Sequence, residues 1–260
     1  MPSLHPRHIS LLLALAAAAA AAAPDYPWLD GRKPGEALSA RIAPPPGAAR
    51  VALAKGSFGA FLRELPLLPA GSAVHLFDGR LKARQDVHAA VVDLDVGSRD
   101  LQQCADAVMR LRAEYLYAIG RPVRFHPEPG KATEYRWGGG DRDRFRKYLT
   151  RVFADAGSAS LAAELAPVGA GRVEPGDVLI QGGYPGHAVL VLDVAVGEGG
   201  RRYLLLGQSY MPAQQFHVLK NLADPAASPW FDAAALEGGL ATPEWMPFRA
   251  KDVRRFTSRN

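Results

Sequence analysis

Apolar positions along the chain recur first at helical and then at strand spacing. Phe58, Phe61, Leu62 and Leu65 lie three and four residues apart, which predicts a short amphipathic helix stopped by Pro66. Leu101, Cys104, Val108, Leu111 and Tyr115 share one face of a longer helix predicted over 101–119. Ser98 or Asp100 is its expected N-cap, and Gly120 and Pro122 close it. Phe145, Tyr148, Leu149, Val152 and Phe153 mark a basic amphipathic helix over 141–156, and Ser158 caps a third, shorter one through 165. Strand-length apolar runs fall at 50–54, 74–77 and 89–96. Beyond Pro167 they dominate, at 177–181, 188–196, 203–207 and 216–219, separated by glycine-rich turns. Trp230, Phe231, Trp245 and Phe248 stand among prolines in a tail expected to wrap irregularly on the core. Helices early and strands late predict an α+β domain whose antiparallel sheet carries the long helix.

The chain divides into three parts. Residues 1–23 read as a secretory signal peptide: Arg7 and His8 precede an apolar run, and alanines fill 16–23. That run is shorter than the roughly 20 residues that span a bilayer. Residues 24–47, with Pro44, Pro45 and Pro46 in a row, read as an extended arm. Residues 48–260 read as one α+β domain. Export to a periplasmic or extracellular location follows, with no stable membrane insertion once the leader is removed. A net charge of +5, dispersed along the chain, gives no case for nucleic acid. A single cysteine excludes an intramolecular disulfide and any site needing two thiolates.

That cysteine, Cys104, stands near the start of the long helix, where the helix dipole favours a thiolate. His187 opens a strand after a glycine- and proline-containing loop, a place where a side chain is both held and reachable. If Val196 sits opposite Arg201 across the following turn, Val189 faces Gln208. The amide is then a diagonal neighbour of His187, about 7–8 Å away between Cα atoms. A thiol, a base and a residue that orients the base form the arrangement of cysteine hydrolases. The expected roles are nucleophile for Cys104, base for His187 and orienter for Gln208, with the sulfur within a few ångströms of the imidazole. Cys104 also lies on an apolar stripe, which is the pattern of a small buried hydrophobe.

A competing site lies at 89–96, where Asp93 and Asp95 point to one face, with His75, Asp78, Asp86 and His88 near in sequence. Such a pair suits a divalent metal or paired acid–base work, and equally a solvated strand face. Arg142, Arg144, Arg146, Lys147 and Arg151 read as a solvated helix face, or as a contact for an anionic envelope polymer. Trp137, Tyr184, Tyr210 and Trp230 are candidates to line a groove. No cofactor or metal is called for.

The order of these residues resembles the papain-like NlpC/P60 and CHAP hydrolases: cysteine on a helix, a Gly176-Asp177 strand, histidine opening the next, then a polar residue. That resemblance implies a papain-like core with Cys104, His187 and Gln208 in the roles above. It departs in the context of the cysteine, Gln102-Gln103-Cys104-Ala105-Asp106, and in a long spacing to the histidine. A closer resemblance is to a bacterial family of unknown function, domain-of-unknown-function family 4846. It is carried by residues 100–116, by Gly182-Gly183-Tyr184-Pro185-Gly186-His187-Ala188-Val189, by Gln208-Ser209-Tyr210-Met211-Pro212-Ala213-Gln214 and by His217-Val218-Leu219-Lys220-Asn221. It implies no established activity. The leading expectation is an exported cysteine hydrolase acting on amide bonds, with cell-wall peptides as substrate. The alternative is a non-catalytic envelope protein that binds or scaffolds, and the third is a metal-dependent or paired-carboxylate hydrolase on Asp93 and Asp95.

Overall fold

The computed structural model describes residues 26–258. The segment expected to be a signal peptide lies outside the described residues. None of the described helices is long and apolar enough to cross a membrane.

Four helices carry most of the helical content: α1 (Phe58–Arg63), α2 (Cys104–Ala118), α3 (Arg142–Asp155) and α4 (Ser158–Glu164). Their starts follow side-chain chemistry. Ser57 accepts the Ala60 amide at 3.2 Å, and Asp141 accepts that of Arg144 at 2.9 Å. The long helix begins three residues later than the apolar pattern suggests. Asp100, one of the two expected caps, instead accepts the amide of Ala213 in a distant loop. Gln103 becomes the N-cap, its amide held by the Asp106 carboxylate. Cys104 is therefore the first helical residue.

Nine strands form one antiparallel sheet: β1 (Ala49–Arg50), β2 (His88–Val91), β3 (Ala166–Pro167), β4 (Val178–Gln181), β5 (His187–Val196), β6 (Arg202–Gln208), β7 (His217–Leu219), β8 (Trp230–Asp232) and β9 (Val253–Arg255). Their order is β2-β7-β6-β5-β4-β9-β3, with β1 paired to β5 and β8 to β6. The mixed architecture with a large antiparallel sheet agrees with the sequence. The tail does not wrap irregularly: it supplies β8, β9 and a hairpin of Leu240–Thr242 with Trp245–Phe248. Trp230, Phe231, Trp245 and Phe248 are all strand residues, the first two opposite Leu205 and Leu204 and the last two opposite Thr242 and Leu240.

The β5–β6 hairpin contains a bulge. Near the turn Val196 pairs with Arg202, not Arg201, one residue away from the expected register. Between Val191 and Asp193 the register shifts back, so Val191 faces Leu206 and Leu190 faces Gly207. Two side chains on the helix side of β5 bracket the shift: Leu192 joins the core beneath the helices, and the buried Asp193 carboxylate takes Arg50 and Arg63 at 2.7 and 2.6 Å. Outside the bulge the strand alternates. Ala188 and Leu190 pack beneath the helices, and Val189 and Val191 pack in a second cluster with Leu206, Phe231 and Phe248.

The described part of the proline-rich stretch, 26–47, is docked on the core. Tyr26, Trp28, Leu29, Leu38 and Ile42 are all buried in the larger core, and the Trp28 indole donates to the Asp93 carbonyl at 2.5 Å. Five apolar anchors spaced among prolines suffice to dock a segment that lacks periodicity. The strand expected over 89–96 is cut to His88–Val91, so Asp93 and Asp95 lie beyond its end. The expected strand at 74–77 is reduced to isolated bridges at His75 and Leu76.

Candidate active site

Three segments converge at the end of the β5–β6 ladder: the loop into β5, the exit of β6 and the start of α2. The loop 182–186 is pressed against α4. A Cβ on Gly186 would meet the Ser158 hydroxyl at 2.1 Å, so only glycine fits immediately before His187. Ser158 accepts the Gly183 amide at 3.3 Å and lies 3.0 Å from its carbonyl. On the exit side, the Ser209 hydroxyl donates to the Gln214 carbonyl at 2.8 Å and lies 3.2 Å from that of Gln102. This ties the residue after Gln208 to the segment that enters α2.

His187 and Gln208 are fully buried and bonded to each other, with His187 Nε2 at 2.8 Å from Gln208 Oε1. The sequence placed them on one face of neighbouring strands, and that is where they lie. The route differs: the unexpected turn register and the bulge offset each other by one residue. The other ring nitrogen, Nδ1, is buried and has no hydrogen-bond partner among the described residues. Tyr210 and Trp245 pack on the imidazole, with ring centroids 5.1 and 5.0 Å away. Burial pulls the His187 pKa down to about 4, against a small opposing pull from Gln208. The imidazole is neutral at physiological pH.

Cys104 is 6% exposed. Burial pushes its thiol up to about 11, although the amides of Ala188, Ala105 and Cys104 itself act in the opposite direction. The sulfur thus lies against the backbone of the residue that follows His187, at a helix start that offers it N–H groups. It is also near enough to Tyr210 that a thiolate would raise the phenol. No hydrogen bond joins the thiol to the imidazole, whose Nε2 is taken by Gln208 and whose Nδ1 is unpaired among the described residues.

Two residues behind Gln208 escaped the sequence. Its amide Nε2 donates to Glu244 Oε2 at 2.9 Å, and the other carboxylate oxygen takes the Lys82 ammonium. The Tyr210 hydroxyl donates to the Glu244 carbonyl at 2.8 Å. Lys82 and Glu244 are 162 residues apart, one just after the isolated bridge at Leu81 and the other in the turn of the Leu240–Phe248 hairpin, so neither periodicity nor spacing marks them.

The competing carboxylates are engaged elsewhere. Asp93 pairs with Arg32 at 3.2 Å, and Asp95 with Arg110 at 2.9 Å and with Arg146. Burial pushes Asp95 up, but Arg110 and Arg146 together hold it below the usual carboxylate range. Among the described residues no group of three or more His, Cys, Asp and Glu side chains is arranged to hold a metal ion. The basic face of α3 is not simply solvated: Arg142 clamps the buried Glu114 at 2.5 Å, and Arg146 reaches Asp95. Of the aromatic groove candidates, Tyr210 is at the site, whereas Trp137 packs on Phe145 and Trp230 is buried in the core.

No curated protein and no solved structure matches the chain. The family described as Domain of unknown function (4846) matches residues 38–144 and 137–255, which is most of the chain, and the chain belongs to that family.

Proposed function

We propose that this protein is an exported papain-like cysteine hydrolase that cleaves amide bonds, with cell-wall peptides as the substrate class. The observation that supports it is the His187–Gln208 hydrogen bond beside a helix-start cysteine whose sulfur meets the next strand amide. In this reading His187 Nδ1 takes the proton of the Cys104 thiol as the sulfur attacks the substrate carbonyl. The C–S bond forms as the carbonyl electrons move onto oxygen, which the helix-start amides would receive. The imidazolium then gives its proton to the leaving amine as the C–N bond breaks, and water hydrolyses the thioester by the same base.

Both partners rest neutral, because burial holds the thiol up and the imidazole down. Proton transfer therefore accompanies attack and does not precede it. This favours a slow, substrate-gated nucleophile over a standing thiolate. The same burial favours the second reading, a non-catalytic envelope protein that keeps the arrangement as a packed core.

Incubating the chain without its leader with soluble peptidoglycan fragments, and weighing the products by mass spectrometry, separates the two. The hydrolase reading expects cleaved amides from the unaltered chain and none from Cys104→Ala. Intact fragments, together with a thiol that iodoacetamide labels only after unfolding, would leave the second reading.

A further inference from the structure

We infer that Lys82 and Glu244 are positioning residues which, through Gln208, dictate which nitrogen of His187 carries the proton. The role in catalysis rests on the proposed reading of His187 as the base; the tautomer itself does not. The argument is one of donors and acceptors along a buried row. A lysine ammonium has only N–H to give, so the group facing it must accept. Glu244 does so with Oε1 and presents a second acceptor, Oε2, to Gln208. An amide facing an acceptor must turn its NH2 toward it, which leaves Oε1 of Gln208 toward His187. Facing a carbonyl oxygen, Nε2 of the neutral ring must be the N–H. Nδ1 is then the lone-pair nitrogen, and it is the ring atom with no hydrogen-bond partner.

The row is fixed at both ends. Lys82 and Glu244 side chains are 6% and 9% exposed, so water does not substitute freely for either. Tyr210 secures the Glu244 backbone, and the Lys82 ammonium lies 5.6 Å over the Tyr210 ring. The same tyrosine packs on His187, so the aromatic wall of the site and the polar row behind it are one assembly.

The inference makes an inverted prediction for an isosteric change. In Glu244→Gln the new amide must point its oxygen at Lys82 and its NH2 at Gln208. Gln208 then turns over, offers NH2 to Nε2, and moves the ring proton to Nδ1, where it blocks the base. Removing the ammonium as well, in Lys82→Met with Glu244→Gln, frees the amide to turn its oxygen back, and the original tautomer returns. Nitrogen-15 histidine labelling reads this directly at pH 7, with His187→Gln used to assign the ring among the 7 histidines.

The expected result is Nε2–H in the unaltered chain, Nδ1–H in Glu244→Gln and Nε2–H again in the double variant. Each variant is checked for an unchanged circular dichroism spectrum. A folded Glu244→Gln that keeps Nε2–H overturns the inference, and so does Nδ1–H in the unaltered chain even if the variant fails to fold. Where peptide hydrolysis is measurable, the single variant lowers kcat with little change in KM and the double variant restores it. A tautomer switch in a chain that hydrolyses nothing would sink the hydrolase reading and leave the row intact.

Discussion

Two polar networks are built on buried groups, one around Arg110 and one around His187, and among the described residues only the first is complete. Around Arg110, which is fully buried, the guanidinium reaches Glu114 at 2.6 Å, Gln102 at 2.8 Å and Asp95 at 2.9 Å, and Arg142 and Arg146 cover the remaining oxygens. Around His187 the row from Lys82 runs through three matched bonds and stops on Nδ1, which has none among the described residues. Buried polar groups are ordinarily satisfied, because leaving one open costs about 1–3 kcal/mol. A closed network holds structure, and a network that ends on an open basic atom keeps a place for a proton. Of the two carboxylates that looked like chemistry in the sequence, Asp95 belongs to the closed network and Asp93 pairs with Arg32, whereas a histidine in a mostly apolar strand belongs to the open one.

The largest effect is expected from breaking the closed network. Arg110→Ala empties a fully buried site and removes bonds to Glu114, Gln102 and Asp95, although Arg142 and Arg146 still hold the two carboxylates, and should cost about 2–5 kcal/mol in urea unfolding. A loss under about 1 kcal/mol would erase the distinction drawn between the two regions. Next in size is the response to acid. His187 is held down to about 4 and the buried His217 to about 3, both by desolvation, while the unfolded chain protonates near 6.5. The unfolded state therefore binds more protons between those values, and stability falls as pH drops from 6.5 toward 4. Each histidine contributes about 1.4 kcal/mol per pH unit within that window. Asp106, pushed up by burial, titrates with the opposite sign, so the measure is the difference between the chain and His217→Gln, whose slope should be shallower by one proton. The smallest is Ser209→Ala, about 1 kcal/mol in stability. It loosens the tie between Gln102 and the end of β6, so iodoacetamide should reach Cys104 faster in the folded variant.

Much of this was written locally in the chain. The cores of α1, α3 and the later strands follow from apolar spacing, because burial on one face is what those residues do in any context. The start of α2 did not, since Asp100 caps an amide more than a hundred residues away and Gln103 takes its place. His187 and Gln208 were legible as cross-strand neighbours from their order and the turn between them, whereas the Cys104 sulfur meets the Ala188 amide and not the imidazole. Lys82 and Glu244 were not legible, because a surface-type Lys–Glu pair carries no sign that the fold will bury it. Residues 24–47 misled for a related reason: composition reported the prolines, while Trp28 and Leu38 decided the packing.

The bulge in β5 has a consequence for how the hairpin tolerates change. Had the register at the turn run on unbroken, Gln208 would stand opposite Leu190, and its amide would point under the helices. The single extra residue acts as a vernier: it slips one strand past its neighbour by one notch and delivers the amide to the imidazole's side of the sheet. The hairpin thus has a coarse adjustment at its tip and a fine one at its middle, and the two are coupled. A residue removed from the turn is harmless to the site only if the slip at Leu192 and Asp193 is removed with it.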